Sequence, residues 1–261
     1  MLDQVTPVIL TFNEEENIEH SVSRLGWAKD IVVVDSFSTD DTLSILTRFS
    51  NVRVYQREFD NHANQWNYAI HETDINKDWV LALDADYILS DEFISELESL
   101  DPALEDAGYE TEFTYCIHGK PLRGSLYPPV VVLCKHVHAR YTQDGHTQRV
   151  IGVGKVGKLR SKILHDDRKP FGRWLASQKK YMALEAELIY ETPFAKLSWP
   201  DKTRKMVFIA PFLTFIYCLF YKKLILDGIP GLHYSALRTI AEIILTIEQM
   251  KLLLKINIKG M

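Results

Sequence analysis

Cysteine is scarce: Cys116, Cys134 and Cys218 are the only three in 261 residues, and no two of them form a C-x-x-C pair. That count excludes a disulfide scaffold and makes a reducing compartment the default. Ten prolines and twelve glycines are too few for a collagen-like or low-complexity chain. The opening residues, MLDQVTPVIL, lack the basic start and long apolar run of a secretory signal, so a cytoplasmic protein is expected. Aromatic-interleaved RNA motifs and zinc-finger spacings are missing as well, and no nucleic-acid partner is expected. Internal repeats are absent. With 46% hydrophobic and 25% charged residues, the chain can bury one large core or two smaller ones.

Charge is unevenly spread. Residues 1–110 hold 24 acidic and 6 basic residues (−18), and the remainder holds 11 acidic and 24 basic (+13), so the net charge of −5 conceals two opposite halves. A basic half suits nucleic acid, anionic lipid or phosphorylated small molecules, and charge alone does not choose among them. Within the acidic half, β-rich runs at 5–11, 31–34, 52–55 and 79–83 alternate with helical stretches at 14–25, 40–49 and 62–71. This alternation predicts an α/β fold whose mainly parallel sheet is flanked by helices. Ligands bind such sheets beyond the carboxyl ends of the strands, which here read Thr11-Phe12-Asn13, Asp35-Ser36 and Asp84-Ala85-Asp86.

From Tyr109 to Val137 the β-rich segments are broken by Gly119, Pro121, Gly124 and Pro128-Pro129, which predicts antiparallel additions and a mixed sheet. After His165 the pattern becomes helical, over 171–190, 203–226 and 234–255, with Asp227-Gly228-Ile229-Pro230-Gly231 as a break. Residues 1–168 are therefore expected to form the α/β domain and 169–261 a helical region.

Met206 to Tyr221 contains no charge over 16 residues. As a helix it would measure roughly 24 Å against a hydrocarbon core of about 30 Å, short for a span. Lys202, Arg204 and Lys205 precede it, and Lys222 and Lys223 follow. A helix lying in the interface of an anionic membrane surface, contributed by 203–226, is the expectation, with a buried helix or a dimer contact as the other reading. A homo-oligomer is left open.

Asp84-Ala85-Asp86 closes an apolar strand, so two carboxylates stand where one can face a divalent cation and the other a ribose hydroxyl. Oxygen-rich sites of this kind suit Mg²⁺ or Mn²⁺. By itself a D-x-D triplet is as compatible with a solvated loop. Asp35 ends a second Val-rich strand and is expected to converge on the same cleft.

Taken in order, Thr11-Phe12-Asn13-Glu14-Glu15, Val32-Val33-Val34-Asp35-Ser36 with Ser38-Thr39-Asp40, and Leu83-Asp84-Ala85-Asp86 resemble the signature of family 2 glycosyltransferases of GT-A fold. Gln65-Trp66-Asn67-Tyr68-Ala69, His165, and Leu226-Asp227-Gly228 with Gly231 further resemble the subgroup containing lipopolysaccharide-core glucosyltransferases.

The resemblance implies an inverting hexosyltransferase acting on a nucleotide-diphosphate sugar donor, with a UDP-sugar the expected one, and on a lipid-linked or envelope-polysaccharide acceptor. It implies Asp35 near the base, Thr11, Asn13 and Glu15 around the nucleoside, Asn67 at the donor, Asp84 toward ribose and Asp86 on the metal. His165 is either a further metal ligand or diphosphate contact, or a structural histidine. Such an enzyme would work at the inner face of the plasma membrane.

One departure concerns Trp66, which stands where relatives often carry a basic residue and cannot pair with phosphate. The charge is expected instead from the basic segment 155–180, from Arg168 and Arg173 in particular. Inversion requires a base for the acceptor hydroxyl. Within Tyr141-Thr142-Gln143-Asp144-Gly145-His146-Thr147-Gln148-Arg149, the candidates are Asp144 first and His146 second, although Asp144-Gly145 also fits a plain turn. Gly152-Val153-Gly154-Lys155-Val156-Gly157-Lys158 satisfies part of a P-loop pattern, but Leu159 replaces the metal-binding hydroxyl and a β-rich run follows, so a basic loop is expected. A nucleotidyltransferase and a non-catalytic sugar-nucleotide-binding scaffold are the competing functional readings.

Overall fold

The computed structural model describes the backbone of residues 1–101, 107–144 and 147–259, and their side chains except those of Asp144, Thr147 and 255–259. Two compact units divide the chain: Met1–Pro121 with Tyr127–Lys169, and Leu122–Leu126 with Pro170–Met261.

The first unit begins with β1 (Val5–Thr11), α1 (Ile18–Val22), β2 (Ile31–Asp35), α2 (Thr42–Leu46), β3 (Val52–Gln56), α3 (His62–His71) and β4 (Trp79–Asp84). It continues through β5 (Tyr87–Ile88), α4 (Asp91–Ser99), β6 (Gly108–Thr111), β7 (Phe113–Ile117), β8 (Lys120–Pro121) and β9 (Val130–Lys135). The hairpin β10 (Arg140–Asp144) and β11 (Thr147–Ile151) follows, then β12 (Val156–Lys158) and β13 (Ile163–His165). Among the described residues the main sheet has seven strands in the order β12-β6-β9-β4-β1-β2-β3. β4, β1, β2 and β3 run parallel, and β9 joins β4 antiparallel, so the sheet is mixed.

Side chains alternate across this sheet with the strand period of two. Val5, Ile9, Ile31, Val33, Trp79, Leu81 and Leu83 pack on one face with Ile18, Val22, Phe93 and Leu97. Val8, Val32, Val34, Val80 and Ala82 pack on the other with Ala63, Trp66, Ala69 and Ile70 of α3. Burial on both faces explains the unbroken apolar runs of the parallel strands. Helix α4 is absent from the expected elements because its charged residues leave only a narrow stripe, Phe93 and Leu97, to bury. Its start was signalled all the same: the Ser90 side chain accepts from the Phe93 amide, and Asp91 and Glu92 occupy the first turn.

The second unit is helical: α5 (Phe171–Glu191), α6 (Trp199–Arg204), α7 (Ile209–Ile216) and α8 (Ile229–Lys259). The single helix expected over 203–226 is not formed. Pro211 lies four residues after Val207, so a continuous helix would bring the proline ring against the Val207 carbonyl and leave that carbonyl without its amide. Instead Val207 turns to φ 60°, and its carbonyl accepts from the Thr246 hydroxyl at 2.7 Å. A π-helical turn at Tyr217–Tyr221, left-handed Lys223 and a 3-10 turn at Leu224–Asp227 complete the segment. The break expected over 227–231 narrows to Gly228, at φ 64° between the 3-10 turn and α8, and α8 starts at Ile229, five residues before the expected Tyr234. Pro230 occupies the second helical position, where an amide has no partner anyway. Gly231 is required by a close approach, since a Cβ there would stand 1.9 Å from the Leu224 carbonyl oxygen. Among the described residues no helix is long and apolar enough to cross a membrane.

Phe93 is fully buried between α4 and the sheet. Phe93→Ala is expected to lower the unfolding free energy by about 3–5 kcal/mol in a urea titration, and a loss under about 1 kcal/mol would contradict this packing.

Candidate active site

The parallel register brings three strand ends to one sheet edge: Thr11 lies beside Asp35, and Leu10 beside Asp84. Adjacency of backbones does not aim the side chains together. Asp35 follows Ile31 and Val33 on the α1 face, whereas Asp84 follows Val80 and Ala82 on the α3 face. The pleat therefore starts the two carboxylates from opposite faces of the sheet, at the same carboxyl-end edge.

Asp35 organises the loops. Its fully buried carboxylate accepts from the Ser38 amide at 2.9 Å, the Ser38 hydroxyl and the Gln56 amide at 3.3 Å. The Ser38 hydroxyl in turn accepts from the Asn13 amide at 2.8 Å, and the Asn13 side chain accepts from the Thr39 amide at 2.7 Å. The Glu15 amide donates to Asp40 at 3.2 Å, while the Glu15 carboxylate accepts from the Asp41 amide at 3.1 Å. Asn13 and Glu15 thus lock the loop after β1 to the loop after β2. Asn13 holds a positive φ of 55°, which asparagine tolerates better than most residues. The Thr11 hydroxyl is buried and has no partner among the described residues. Two aromatic rings, Phe12 and Phe37, stand exposed on these locked loops; Phe12 lies within the first strand-end motif, and no role was read for either from the sequence.

The densest electrostatics surround Asp86. Its Oδ2 lies 3.2 Å from His165 Nε2 and 3.5 Å from Lys169 Nζ. Lys169 also contacts Glu14 at 2.9 Å and Asp167 at 3.4 Å. Burial alone would raise the Asp86 pKa, but the adjacent His165 and Lys169 hold it well below the usual carboxylate range. Burial likewise opposes charge on His165 and Lys169, and the carboxylates around them overcome it and raise both. Glu14 is pushed up to about 7 by burial, with Asp86 adding to the rise and Lys169 opposing it. Asp84 rises to about 6, chiefly through burial and secondarily through the charge on Asp86. The His165 ring is enclosed by Tyr127, Tyr115 and Tyr87, with centroids 4.5, 4.7 and 5.4 Å away, a surrounding that favours a cation.

Asp86 Oδ1 and His165 Nδ1 are buried without a hydrogen-bond partner among the described residues. An unpartnered carboxylate oxygen beside an imidazole fits a divalent cation whose remaining ligands come from a substrate, since Mg²⁺ commonly takes one or two carboxylates plus phosphates. Among the described residues no three His, Cys, Asp or Glu side chains gather into a complete metal cage.

Several expected site residues have other partners. Asn67 donates from Nδ2 to the Tyr141 carbonyl at 2.9 Å and accepts the Tyr141 amide at 2.8 Å, so both ends of its amide pin the β10–β11 hairpin rather than reach for a donor. Arg168 is drawn to Asp166 at 2.8 Å and to His20 at 2.8 Å, and the cation that reaches Asp86 is its neighbour Lys169. Arg173 belongs to the second unit. Trp66 is buried and stacks on Tyr141, with ring centroids 5.4 Å apart; with Asp84 and Tyr87 these rings line a cavity of about 20 Å³. The backbone of Asp144 pairs with that of Thr147 at the hairpin tip, but the Asp144 side chain and all of His146 lie outside the described residues. The segment resembling a P-loop leads into strand β12, which pairs with β6, so it cradles nothing at a helix start.

Lys169 stabilises buried carboxylates that would otherwise repel. Lys169→Met is expected to cost about 3–5 kcal/mol in denaturant titrations, with part of that loss recovered when Glu14→Gln is added. Strictly additive effects of the two substitutions would show that the contact has no energetic weight.

Residues 6–103 match the family model described as Glycosyl transferase family 2. A glycosyltransferase of Rickettsia bellii, itself uncharacterized, is 33% identical over 96 residues, covering 36% of this chain and 32% of that protein. A similar protein of Rickettsia conorii is 31% identical over 99 residues, covering 38% and 34%. The chain thus spans about a third of the length of these curated relatives. Among solved structures, S. aureus TarS 1–349 in complex with UDP-GlcNAc superposes with a TM-score of 0.51 at 13% identity, covering 95% of this chain and 91% of that one. Its complex with UDP gives 0.50 over the same shares. On a mixed α/β fold similar to that of TarS, residues 6–103 thus match the glycosyltransferase family 2 model.

Proposed function

We propose that the protein is an inverting glycosyltransferase that moves a sugar from a nucleotide-diphosphate donor, a UDP-sugar first among them, to a lipid-linked or envelope-glycan acceptor such as a lipopolysaccharide core. The observation that carries this reading is the buried, unpartnered Asp86 Oδ1 beside His165 and Lys169, within the Asp84-Ala85-Asp86 turn of the segment that matches the family. TarS, on the same fold, is described in complex with UDP-GlcNAc, which supports a uridine nucleotide sugar as the donor class.

In this reading Asp86, and His165 once its ring has given up its proton, would hold Mg²⁺ or Mn²⁺, which would supply positive charge to offset that on the departing nucleoside diphosphate. Lys169 keeps Asp86 ionised and ready to bind. The Thr11 hydroxyl, with Phe12 and Phe37 on the locked loops, receives the nucleoside, and Asp84 accepts from a ribose hydroxyl. Asn67 places the β10–β11 hairpin, whose tip carries Asp144 and His146 as the acceptor-side base candidates.

Release of nucleoside diphosphate from a panel of nucleotide sugars, with and without Mn²⁺, tests donor, reaction and cation together. Asp86→Asn is expected to reduce release by about 10²-fold or more while the circular-dichroism melt persists. Undiminished turnover in that variant, or in excess chelator, would remove the basis for the proposal.

The second unit supports work at a membrane surface, on the inner face of the plasma membrane. Trp199, Phe208, Phe212 and Phe220 are all more than half exposed, and Lys202 and Lys222 lie over neighbouring aromatic rings. Apolar rings edged by lysines complement an anionic bilayer interface. Replacing both Phe208 and Phe212 by Ser should release the protein from vesicles containing phosphatidylserine. Unchanged cosedimentation would reject this role.

A further inference from the structure

Arg238, on α8, is half-buried, and among the described residues nothing accepts a hydrogen bond from its guanidinium and no carboxylate pairs with it. Its Nε is enclosed; the two terminal nitrogens, equally without partners, are not. Other guanidinium groups of the same unit show the ordinary arrangement. Arg123 lies 3.0 Å from Asp227, and Arg204 reaches Glu242 at 2.7 Å. Glu242 stands four residues after Arg238, the spacing at which a helix pairs opposite charges, but Arg204 Nε also lies 3.1 and 3.2 Å from its two oxygens. Arg238 is thereby left without an internal counter-ion. A charge drawn partly out of water with no acceptor costs free energy that a packed apolar side chain would not.

A second unpaired cation lies nearby. Lys222 is half-buried and has no ion pair among the described residues, and its ammonium stands 5.8 Å from the centre of the Tyr217 ring. Burial raises the pKa of the enclosed Cys218 thiol, and the charges of Arg238 and Lys222, both close to that thiol, oppose the rise. Glu242 acts on the same thiol with the opposite sign, and Arg204 already offsets it. The surroundings of the two cations are fixed. Tyr234, one turn before Arg238, accepts from the Leu126 amide at 2.7 Å, and a Cβ on Gly124 would stand 3.1 Å from the Lys222 carbonyl oxygen. Phe220, Tyr221, Ile225 and Leu226, on either side of Lys222 in the chain, are more than half exposed.

We propose that Arg238 and Lys222 form a binding site for a phosphate monoester. The terminal nitrogens of Arg238 offer a planar fork that two oxygens of one phosphate can accept, and Lys222 adds a point charge. A monoester carries about −1.5 to −2 at pH 7, which matches two unpaired cations, whereas a carboxylate or a phosphodiester brings a single charge. Exposed apolar side chains alongside suit an ester with an apolar portion, so the phosphate can belong to a lipid headgroup as well as to a soluble ester. This site lies in the second unit alone and requires no sugar transfer by the first.

Two probes test this with the full chain: glycerol 3-phosphate by calorimetry, and phosphatidylcholine vesicles containing phosphatidic acid by cosedimentation. Saturable binding is expected, and Arg238→Met should weaken it by about tenfold or more. Arg238→Lys, which keeps the charge and loses the fork, should fall between that variant and the unsubstituted protein, and Lys222→Met should also weaken binding. Lys223→Met removes the same charge from the adjacent exposed position and should leave affinity within about twofold. Because no internal partner is lost, Arg238→Met should melt no lower than the unsubstituted protein, and glycerol 3-phosphate should raise the melting temperature of the latter alone. The vesicles separate the sources. Arg238-dependent preference for phosphatidic acid over phosphatidylglycerol at equal vesicle charge marks a lipid-borne group, and Arg238-dependent binding of glycerol 3-phosphate without that preference marks a soluble ester. Saturable binding of neither probe, equal weakening by Lys223→Met and Arg238→Met, or a clearly lower melting temperature for Arg238→Met would overturn the proposal. Nucleoside diphosphate release is not the readout, so loss of the glycosyltransferase reading would leave these outcomes unaffected.

Discussion

A single ammonium group, that of Lys169, allows Glu14, Asp86 and Asp167 to be held together where burial would otherwise keep their carboxyls apart or protonated. Removing an ion from water costs several kcal/mol, so a cluster of this kind persists only when opposite charges and hydrogen bonds satisfy one another. Here the His165 ring, inside an aromatic enclosure, lies 3.2 Å from Asp86, and Asn17 donates to Glu14 at 2.8 Å. The loop after β1, the turn after β4 and the end of β13 are thereby fastened to one another. What remains unsatisfied, one oxygen of Asp86 and one nitrogen of His165, is where chemistry can be directed.

The sheet determines which groups can share that place. Parallel register alone sets Thr11, Asp35 and Asp84 along one edge, and the two-residue period then separates Asp35 from Asp84 by face. The acidic motifs consequently divide their labour: Asp35 organises the loops after β1 and β2 through Ser38, while Asp86, one turn beyond β4, keeps a buried carboxylate oxygen without a partner among the described residues. Ser21 reinforces this arrangement, its hydroxyl lying 2.7 Å from the Ala85 carbonyl and 2.6 Å from that of Tyr87, so α1 is tied to the Asp84–Tyr87 turn.

In the second unit the same physics acts through a different residue. Arg204 reaches Glu242 at 2.7 Å, Asp201 at 3.0 Å and Glu185 at 3.6 Å, joining α5, α6 and α8 through one guanidinium. The planar five-donor group suits such multiple pairing better than a lysine would. With Pro211 forbidding a continuous helix, the chain turns at Val207, and that turn shapes a pocket lined by Lys205 and Gln249. The large apolar surface of α7 and its neighbours is thus presented by short, angled segments rather than by one long rod.

The parallel strands, the position of α3 and the strand-end motifs were legible in the sequence, because unbroken Val-rich runs and polar strand ends are local signals that tertiary packing does not overrule. The expected strand at Val5–Thr11 and helix at His62–His71 coincide with β1 and α3. Helix α4 was hidden because two buried residues make too narrow a stripe, and the helix over 203–226 was overextended because an apolar run reports burial without reporting where a proline must bend it. Only the tertiary structure decided which basic residue reaches the acidic turn: Arg168 and Lys169 are neighbours in a charged segment, and Asp166 and His20 hold one while Glu14 and Asp86 draw in the other. Asn67 illustrates the same limit, since its chemistry suits a nucleotide as well as a peptide group, and its partner, Tyr141, lies 74 residues away. Residue type sets what a side chain can bind; the direction in which the fold points it sets what it does bind.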